Sequence, residues 1–323
     1  MTHIDRRTFL HLTLAGSAFA LSGTSALAQW SPRRPVNVIV PYGAGGGTDS
    51  FGRAMAESAE AALPVPMVIV NRPGSSGITG ATEAAGARPD GTTFMMTSSG
   101  SFTLTYLFRD TDVNPFDDFI TVAQIGRLTT SLMVPINSPH ETLDDLVAAM
   151  RENPGAMRWA HTGRGGFHHV AGQGFLNAAG LEAQDVPFSG GGNTRAAVIG
   201  EQVDFGMIGI QQAAGFAGEL RALALVSDER DAFATDVPTF QEQGYDAPLI
   251  SSPIVVFAPL ETPADIVEGM ESAIKTITEQ PGFIESMAER GNAPMFLPGS
   301  EASVVLAALR DDAAPIIEGL EAE

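Results

Sequence analysis

The feature that most constrains this chain is a unit that recurs along it: a short β-branched run, a glycine-rich turn, then a helix-patterned segment. Val36-Asn37-Val38-Ile39-Val40 leads into Pro41-Tyr42-Gly43-Ala44-Gly45-Gly46-Gly47-Thr48-Asp49, and a helical pattern follows from Asp49 to Ala62. Val68-Ile69-Val70 leads into Asn71-Arg72-Pro73-Gly74-Ser75-Ser76-Gly77 and a second helical pattern. Thr92 to Thr97 reads as a third strand, with Thr97-Ser98-Ser99-Gly100 as its turn and a helical segment from Phe102 to Phe108. Such alternation predicts βαβ units and a parallel sheet, because parallel strands need a crossover helix between them.

After strand-like stretches at Thr121 to Ile125 and Ser131 to Pro135, the alternation restarts. Thr142 is placed to cap a helix, with Asp144 and Asp145 suiting its N-terminal dipole. Strands are expected at Met157 to Ala160, Asp185 to Phe188, Phe205 to Ile208 and Leu220 to Val226. Helices are expected from His168 to Ala178 and from Asn193 to Ile199. A late strand at Ile254 to Ala258, an amphipathic helix at Pro263 to Thr278 and a helical stretch at Ser300 to Gly319 close the chain. At 323 residues the chain is long enough for two domains. No low-complexity linker separates the blocks, which implies strands that cross between domains, a hinge and a cleft. The crossings are expected near Met133 to Ile136 and Ser251 to Val255.

The turns carry the chemistry. In open α/β sheets ligands sit beyond the carboxyl ends of the strands. Glycines there bare backbone N–H groups, and a helix N-terminus adds partial positive charge, so an anion can be held without a basic side chain. The candidate ligand-binding residues are Tyr42, Gly45, Gly46, Gly47, Thr48 and Asp49 in the first turn, Ser75, Ser76 and Gly77 in the second, and Ser98 and Ser99 in the third. The second block adds Gly163, Arg164, Phe167 and His168 from His161-Thr162-Gly163-Arg164-Gly165-Gly166-Phe167-His168-His169, and Phe188 from Val186-Pro187-Phe188-Ser189-Gly190-Gly191-Gly192-Asn193. Asp49 is expected to organise its turn rather than act as a base. A dinucleotide reading fails at Thr48, where the third glycine belongs, and at Asn71, where a ribose-binding acid belongs. Arg72 reads as structural. Adjacent His168 and His169 diverge by about 100° on a helix, so no metal is expected there.

Catalysis finds little support. Gly74-Ser75-Ser76-Gly77 has the wrong spacing for a nucleophile elbow, no cysteine exists, and Lys275 is the single lysine. No cofactor is expected. The net charge of −20 repels nucleic acid and anionic membranes. Residues 1–28 read as an export signal: Arg6-Arg7 before Phe9-Leu10, an apolar run from Leu12 to Leu21, then Ala26-Leu27-Ala28 as a cleavage site. The Arg pair resembles a twin-arginine signal, with the general secretory route as the alternative. The lack of cysteine means that no disulfides form in an oxidising compartment.

These turns, in this order, resemble the substrate-binding proteins of the tripartite tricarboxylate transporter family, the Bug family. The likeness spans nearly the whole mature chain. It rests on Arg34-Pro35 through Val40-Pro41-Tyr42, Gly45 to Asp49, Val70 to Gly74, Ala87-Arg88-Pro89-Asp90-Gly91, Asn114-Pro115-Phe116-Asp117-Asp118-Phe119, Gly163 to His169, Val186 to Phe188 with Gly190-Gly191, Val203-Asp204, Leu220 to Ala224 and Asp236 to Thr239. The resemblance implies an α/β, two-domain, periplasmic-binding-protein-like (Venus flytrap) fold with the ligand cleft between domains, divided as 30–132 plus 252–323 and 133–251. It also implies a monomeric periplasmic receptor, not an enzyme. That receptor captures a small carboxylate and delivers it to the membrane subunits of a tripartite tricarboxylate transporter, and Asp204 joins the site residues. Arg164, Gly166 and Phe167 depart from the small polar residues more usual there, which implies a different or aromatic acid. A receptor feeding a signalling partner, or a hydrolase on the same cleft architecture, are the alternatives.

Overall fold

The computed structural model describes residues 30–108, 111–213, 216, 218–250 and 252–321. The expected export signal therefore lies outside the described residues. The first sheet is built from β1 (Val36–Val40), β2 (Met67–Asn71), β3 (Thr93–Ser98), β4 (Phe119–Leu128), β10 (Ser252–Pro259) and β11 (Pro294–Pro298), in the order β11-β4-β10-β3-β1-β2. The second holds β5 (Thr130–Pro135), β6 (Arg158–His161), β7 (Gln184–Pro187), β8 (Phe205–Gly209) and β9 (Leu220–Val226), in the order β7-β6-β8-β5-β9. Each sheet has a parallel half made of βαβ units: β2-β1-β3 in one and β7-β6-β8 in the other. The remaining strands pair antiparallel.

The crossover helices are α1 (Gly47–Glu57) and α2 (Ile78–Ala85) on the first sheet, and α5 (Phe167–Ala179) and α6 (Gly191–Ile199) on the second. Helix α3 (Ser99–Phe108) follows β3 without a turn, so the expected loop at Thr97 to Gly100 is instead a strand running directly into a helix. Helix α4 (Leu143–Glu152) begins with the expected Thr142 cap: the Asp145 amide donates to Thr142 Oγ1, and the Asp145 carboxylate accepts from the Thr142 amide. Helices α7 (Ala264–Thr278), α8 (Pro281–Glu289) and α9 (Gly299–Glu321) complete the chain, and α9 returns to lie against α3 and β4.

The strand run β4–β5 passes from one sheet to the other at Thr129, between Leu128 and Thr130. The crossing thus falls short of the expected 132/133 boundary and of Met133 to Ile136, because β5 already pairs with β8 and β9 from Thr130 onward. The return runs from β9 to β10, with Ser251 outside the described residues. Thr129 is pinned beside its crossing by a 2.9 Å hydrogen bond from its hydroxyl to Asp231. Buried aliphatic and aromatic side chains pack both sheets: Val38, Phe51, Phe94 and Ile254 in one, and Leu132, Trp159, Phe175 and Phe205 in the other.

Candidate ligand cleft

The carboxyl ends of β1, β2 and β3 face those of β6, β7 and β8 across a closed cleft. The two domains approach each other backbone to backbone at their glycine turns. A Cβ on Gly46 would lie 3.7 Å from the Gly191 amide nitrogen, and one on Gly43 would lie 3.6 Å from the Ser189 carbonyl. At the lip, the Ser76 hydroxyl donates to the Arg164 carbonyl at 3.2 Å. Ser75 and Ser76 both hold left-handed backbone conformations, at φ 46° and 56°, between Gly74 and Gly77, also at positive φ. Two successive serines in that region store strain of a kind that gathers at ligand clamps.

The cleft encloses an outer chamber of about 280 Å³. Pro41, Tyr42, Gly43 and the Pro73–Gly77 turn line it from the first sheet, and Thr162–Arg164 with Pro187–Gly190 line it from the second. Beneath it, and sharing Tyr42, Thr162 and Gly190 with it, lies an inner pocket of about 30 Å³. Of the candidate residues, Gly46, Gly47, Thr48, Ser98, Phe167 and His168 reach this inner pocket, joined by Ser101, Leu128, Gly191, Gln211 and Gln212.

Five helices start on this cleft, and four of them, α1, α2, α5 and α6, begin from a glycine with no side-chain cap: Gly46, Gly77, Gly166 and Gly190. The first-turn N–H groups of α1, α5 and α6 lack the Ser, Thr or Asp oxygen that occupies such positions elsewhere, whereas in α2 the Ile78 and Thr79 amides donate to the Ser75 and Gly74 carbonyls of the turn before it. The contrast with α4, fully boxed by Thr142 and Asp145, is within the same chain. Around these donors the charges are balanced. Arg164 Nη2 lies 2.7 Å from Asp185, so its cation is already paired.

Not every expected residue lines the cavity. Asp49 is buried with its three partners: the Gly45 amide at 2.9 Å, Arg53 Nε at 2.8 Å and Asn71 Nδ2 at 3.0 Å. Burial works to raise its pKa, but these hydrogen bonds outweigh it and hold the carboxyl below the usual range. Asp49 and Gly45 therefore shape the first turn from behind, as expected of an organising acid. Ser99 is fully buried inside α3 because no turn precedes that helix. Asp204 lies at the opposite end of β8, exposed, accepting the Arg158 amide at 2.7 Å. Arg72 points to Glu83, outside the cavity, as its structural reading requires.

Comparison with known proteins follows this geometry closely. Residues 51–320 match the model of the tripartite tricarboxylate transporter family receptor. The chain belongs to that family. It is a receptor family, not an enzyme family. The receptor is 27% identical to Protein BugT of Bordetella pertussis over 88% of this chain and 89% of BugT. Among solved structures it superimposes on the periplasmic binding protein BugD with a TM-score of 0.80, at 25% identity, covering 90% of this chain and 97% of that one. MatC from Rhodopseudomonas palustris, solved with bound malate, gives a TM-score of 0.81 at 25% identity, covering 88% of this chain and 99% of MatC.

Behind the receptor's second glycine turn, His161, His169 and Asp185 offer ligand atoms within 4.8 Å of one another. Sequence reasoning finds no acid near the histidines because Asp185 arrives from the neighbouring strand. The ring polarity argues against a metal. Nδ1 of His161 accepts the Gly163 amide and Nδ1 of His169 accepts the Gly165 amide, each at 3.2 Å. An accepting Nδ1 leaves the ring proton on Nε2, the nitrogen a metal would need. His161 Nε2 instead donates to Asp185 at 3.1 Å. That hydrogen bond and Arg164 hold the Asp185 carboxyl below its usual range despite partial burial. The trio is a scaffold for the turn: it ties two loop amides, and through Asp185 the Arg164 side chain, to the second sheet.

Proposed function

We propose that this protein captures a small carboxylate in the cleft, in the periplasm, as a monomer, and delivers it to the membrane subunits of a tripartite tricarboxylate transporter. The observation that carries the carboxylate is the set of four glycine-capped helix starts converging on one cavity. A carboxylate has oxygens enough to accept from several bare amides at once, and the dipoles of α1, α2, α5 and α6 favour its charge. This is how a chain of net charge −20 can bind an anion with no unpaired cation on the cavity wall. The bound malate of MatC supports the same class of ligand. The residues proposed to touch it are Tyr42, Gly46, Gly47, Thr48, Ser75, Ser76, Gly77, Ser98, Gly163, Arg164, Phe167, His168 and Phe188.

The carboxylate reading is tested by a thermal-shift screen of mono-, di- and tricarboxylates, aromatic acids and neutral sugars. A ligand that binds only the folded state raises its apparent stability, by about 2.7 kcal/mol at a hundredfold excess over Kd. Tight sugar binding with no response to any acid would overturn it. Export is proposed from the N-terminal signal, and N-terminal sequencing of periplasmic protein should begin at Gln29. Among the described residues no helix is long and apolar enough to cross a membrane.

A further inference from the structure

A cation stands behind the inner pocket with no acid to pair it. Arg195 rises half-buried from α6, and among the described residues no carboxylate comes within ion-pair distance of it. Arg164, on the outer chamber, is by contrast held by Asp185 at 2.7 Å. Burial pushes the Arg195 pKa down, and Glu219, the acid whose charge it feels, acts from beyond ion-pair range. Two contacts hold the guanidinium. Its central carbon lies 4.1 Å from the centre of the Phe216 ring, and Nη1 donates to Gln212 Oε1 at 2.9 Å.

That second contact sets the polarity of a pocket wall. A guanidinium carries donors only, so the Gln212 atom facing it is the carbonyl oxygen, and the amide nitrogen takes the other prong. Gln212 is 3% exposed and lines the inner pocket, which Arg195 itself does not reach. A Cβ on Gly191 would lie 3.2 Å from Gln212 Cδ and 3.5 Å from Nε2, so the amide rests against the first residue of α6. Elsewhere on that wall polar groups meet one another: the Ser98 hydroxyl bonds that of Ser252, and Thr162 Oγ1 bonds His168 Nδ1 at 2.8 Å. Gln212 Nε2 has no hydrogen-bond partner among the described residues, so its N–H donors are open to the pocket beside the bare first turn of α6.

We infer that Arg195 is a positioning residue for anion capture: it fixes the Gln212 amide with its N–H groups toward the inner pocket and strengthens that donor with its own positive charge. This rests on the carboxylate reading and deepens it. Arg195 acts without touching the solute. A hydrogen bond from a cation polarises the amide that accepts it, so Gln212 Nε2 becomes a better donor to a negative oxygen. The arrangement also keeps a positive field at the cleft of a chain whose net charge is −20, from one layer behind the wall.

The test titrates malate, adipate, citrate and benzoate into the mature protein by calorimetry and keeps the tightest binder as the probe. Arg195→Met preserves an apolar stem but removes donor and charge, and should raise the probe's Kd about tenfold or more. Arg195→Lys should recover most of that loss, since Oε1 takes a single donor from the guanidinium. Gln212→Leu should weaken binding at least as much as Arg195→Met, and the double variant should bind no worse than Gln212→Leu alone, because Arg195 acts through that amide. An arginine with a merely structural role gives additive losses instead. Because these variants can perturb the fold, a second measurement uses the native protein: with 15N-labelled glutamine, the side-chain amide resonance of Gln212 should move as the probe is added. A Kd within about twofold of wild type in Arg195→Met, additive losses, no rescue by lysine, or a Gln212 amide that stays still would overturn the role of Arg195 alone. No binding of any of the acids overturns it together with the carboxylate reading.

Discussion

Gly47→Ala separates closure of the receptor from its stability. The added Cβ would stand 2.3 Å from Gln211 Nε2 and 2.8 Å from Leu128 Cδ2, more than 0.5 Å inside ordinary contact in both cases. On the proposed two-domain division Gln211 belongs to the second domain and would move away as the cleft opens, so most of the clash would exist only in the closed form. Gln211 fits this close to its own strand only because Gly209 carries no Cβ, which would stand 2.3 Å from the same amide nitrogen. Overpacking of this kind costs about 1–3 kcal/mol. Charged against the closed state alone, that raises the Kd for solute by roughly 5- to 150-fold. The melting temperature of the solute-free protein should change by less than about 2 °C. Gly46→Ala is the matched comparison, since its Cβ would meet nothing nearer than 3.7 Å, and it should cost at least about threefold less affinity. The assay is calorimetric titration paired with small-angle scattering with and without saturating solute. Wild type should contract on binding, and Gly47→Ala should contract less at equal solute. A Kd within twofold of wild type with full contraction refutes the reasoning. A large fall in melting temperature with no change in Kd refutes it differently, by placing the strain inside the first domain against Leu128.

Asp49→Ala should destabilise the protein by about 2–4 kcal/mol, since it strips the Gly45 amide, Arg53 and Asn71 of one shared buried partner, and thermal melting should fall by about 5 °C. Because the Asp49 pKa is depressed on folding, its stabilisation is present above its ordinary pKa and is lost as pH falls below about 4, so the acid limb of a melting-versus-pH curve should flatten in Asp49→Asn. His168 acts in the opposite sense: burial first, and the nearby His161, push its pKa from 6.5 down to about 3, so the unfolded chain takes up a proton across that window and the folded one does not. Stability should therefore decline as pH is lowered from 6.5 toward 3, by at most about 1.4 kcal/mol per pH unit, and His168→Gln should remove that slope in denaturant melts. Ser76→Ala deletes a hydroxyl-to-carbonyl bond between the lips, and stopped-flow release of bound solute should quicken about two- to fivefold.

The scaffold was legible because its signals are local. A β-branched run followed by glycines and a helix period marks β1–α1 and β2–α2 directly, and a glycine-rich turn before a helix period marks β6–α5 and β7–α6. What escaped depends on neighbours that sequence does not show. Gln211 and Gln212 follow β8 in a short 3-10 turn with no glycine signature, yet they form the floor of the inner pocket. Ser99 reads as part of a turn and Ser101 falls between that turn and the helix expected from Phe102, because the helical period gives no sign of where α3 begins. Asp185 reaches His161 only because β7 pairs beside β6, a register fixed by the sheet. Strand β5 sits in the second sheet from its first residue, since the crossing is set by pairing with β8 and β9 rather than by any break in composition.

The uncapped helix starts also decide what an empty receptor can say. A binding protein speaks to its partner through its outline, and an outline that shut without cargo would be a false report. Closure without a guest would bury the bare amides of α1, α5 and α6 away from bulk water, at about 1–3 kcal/mol for each donor left unanswered. Only a molecule that brings its own acceptors removes that penalty. The missing caps would thus serve as a check on honesty, favouring an open cleft until something negatively charged arrives to finish the helices.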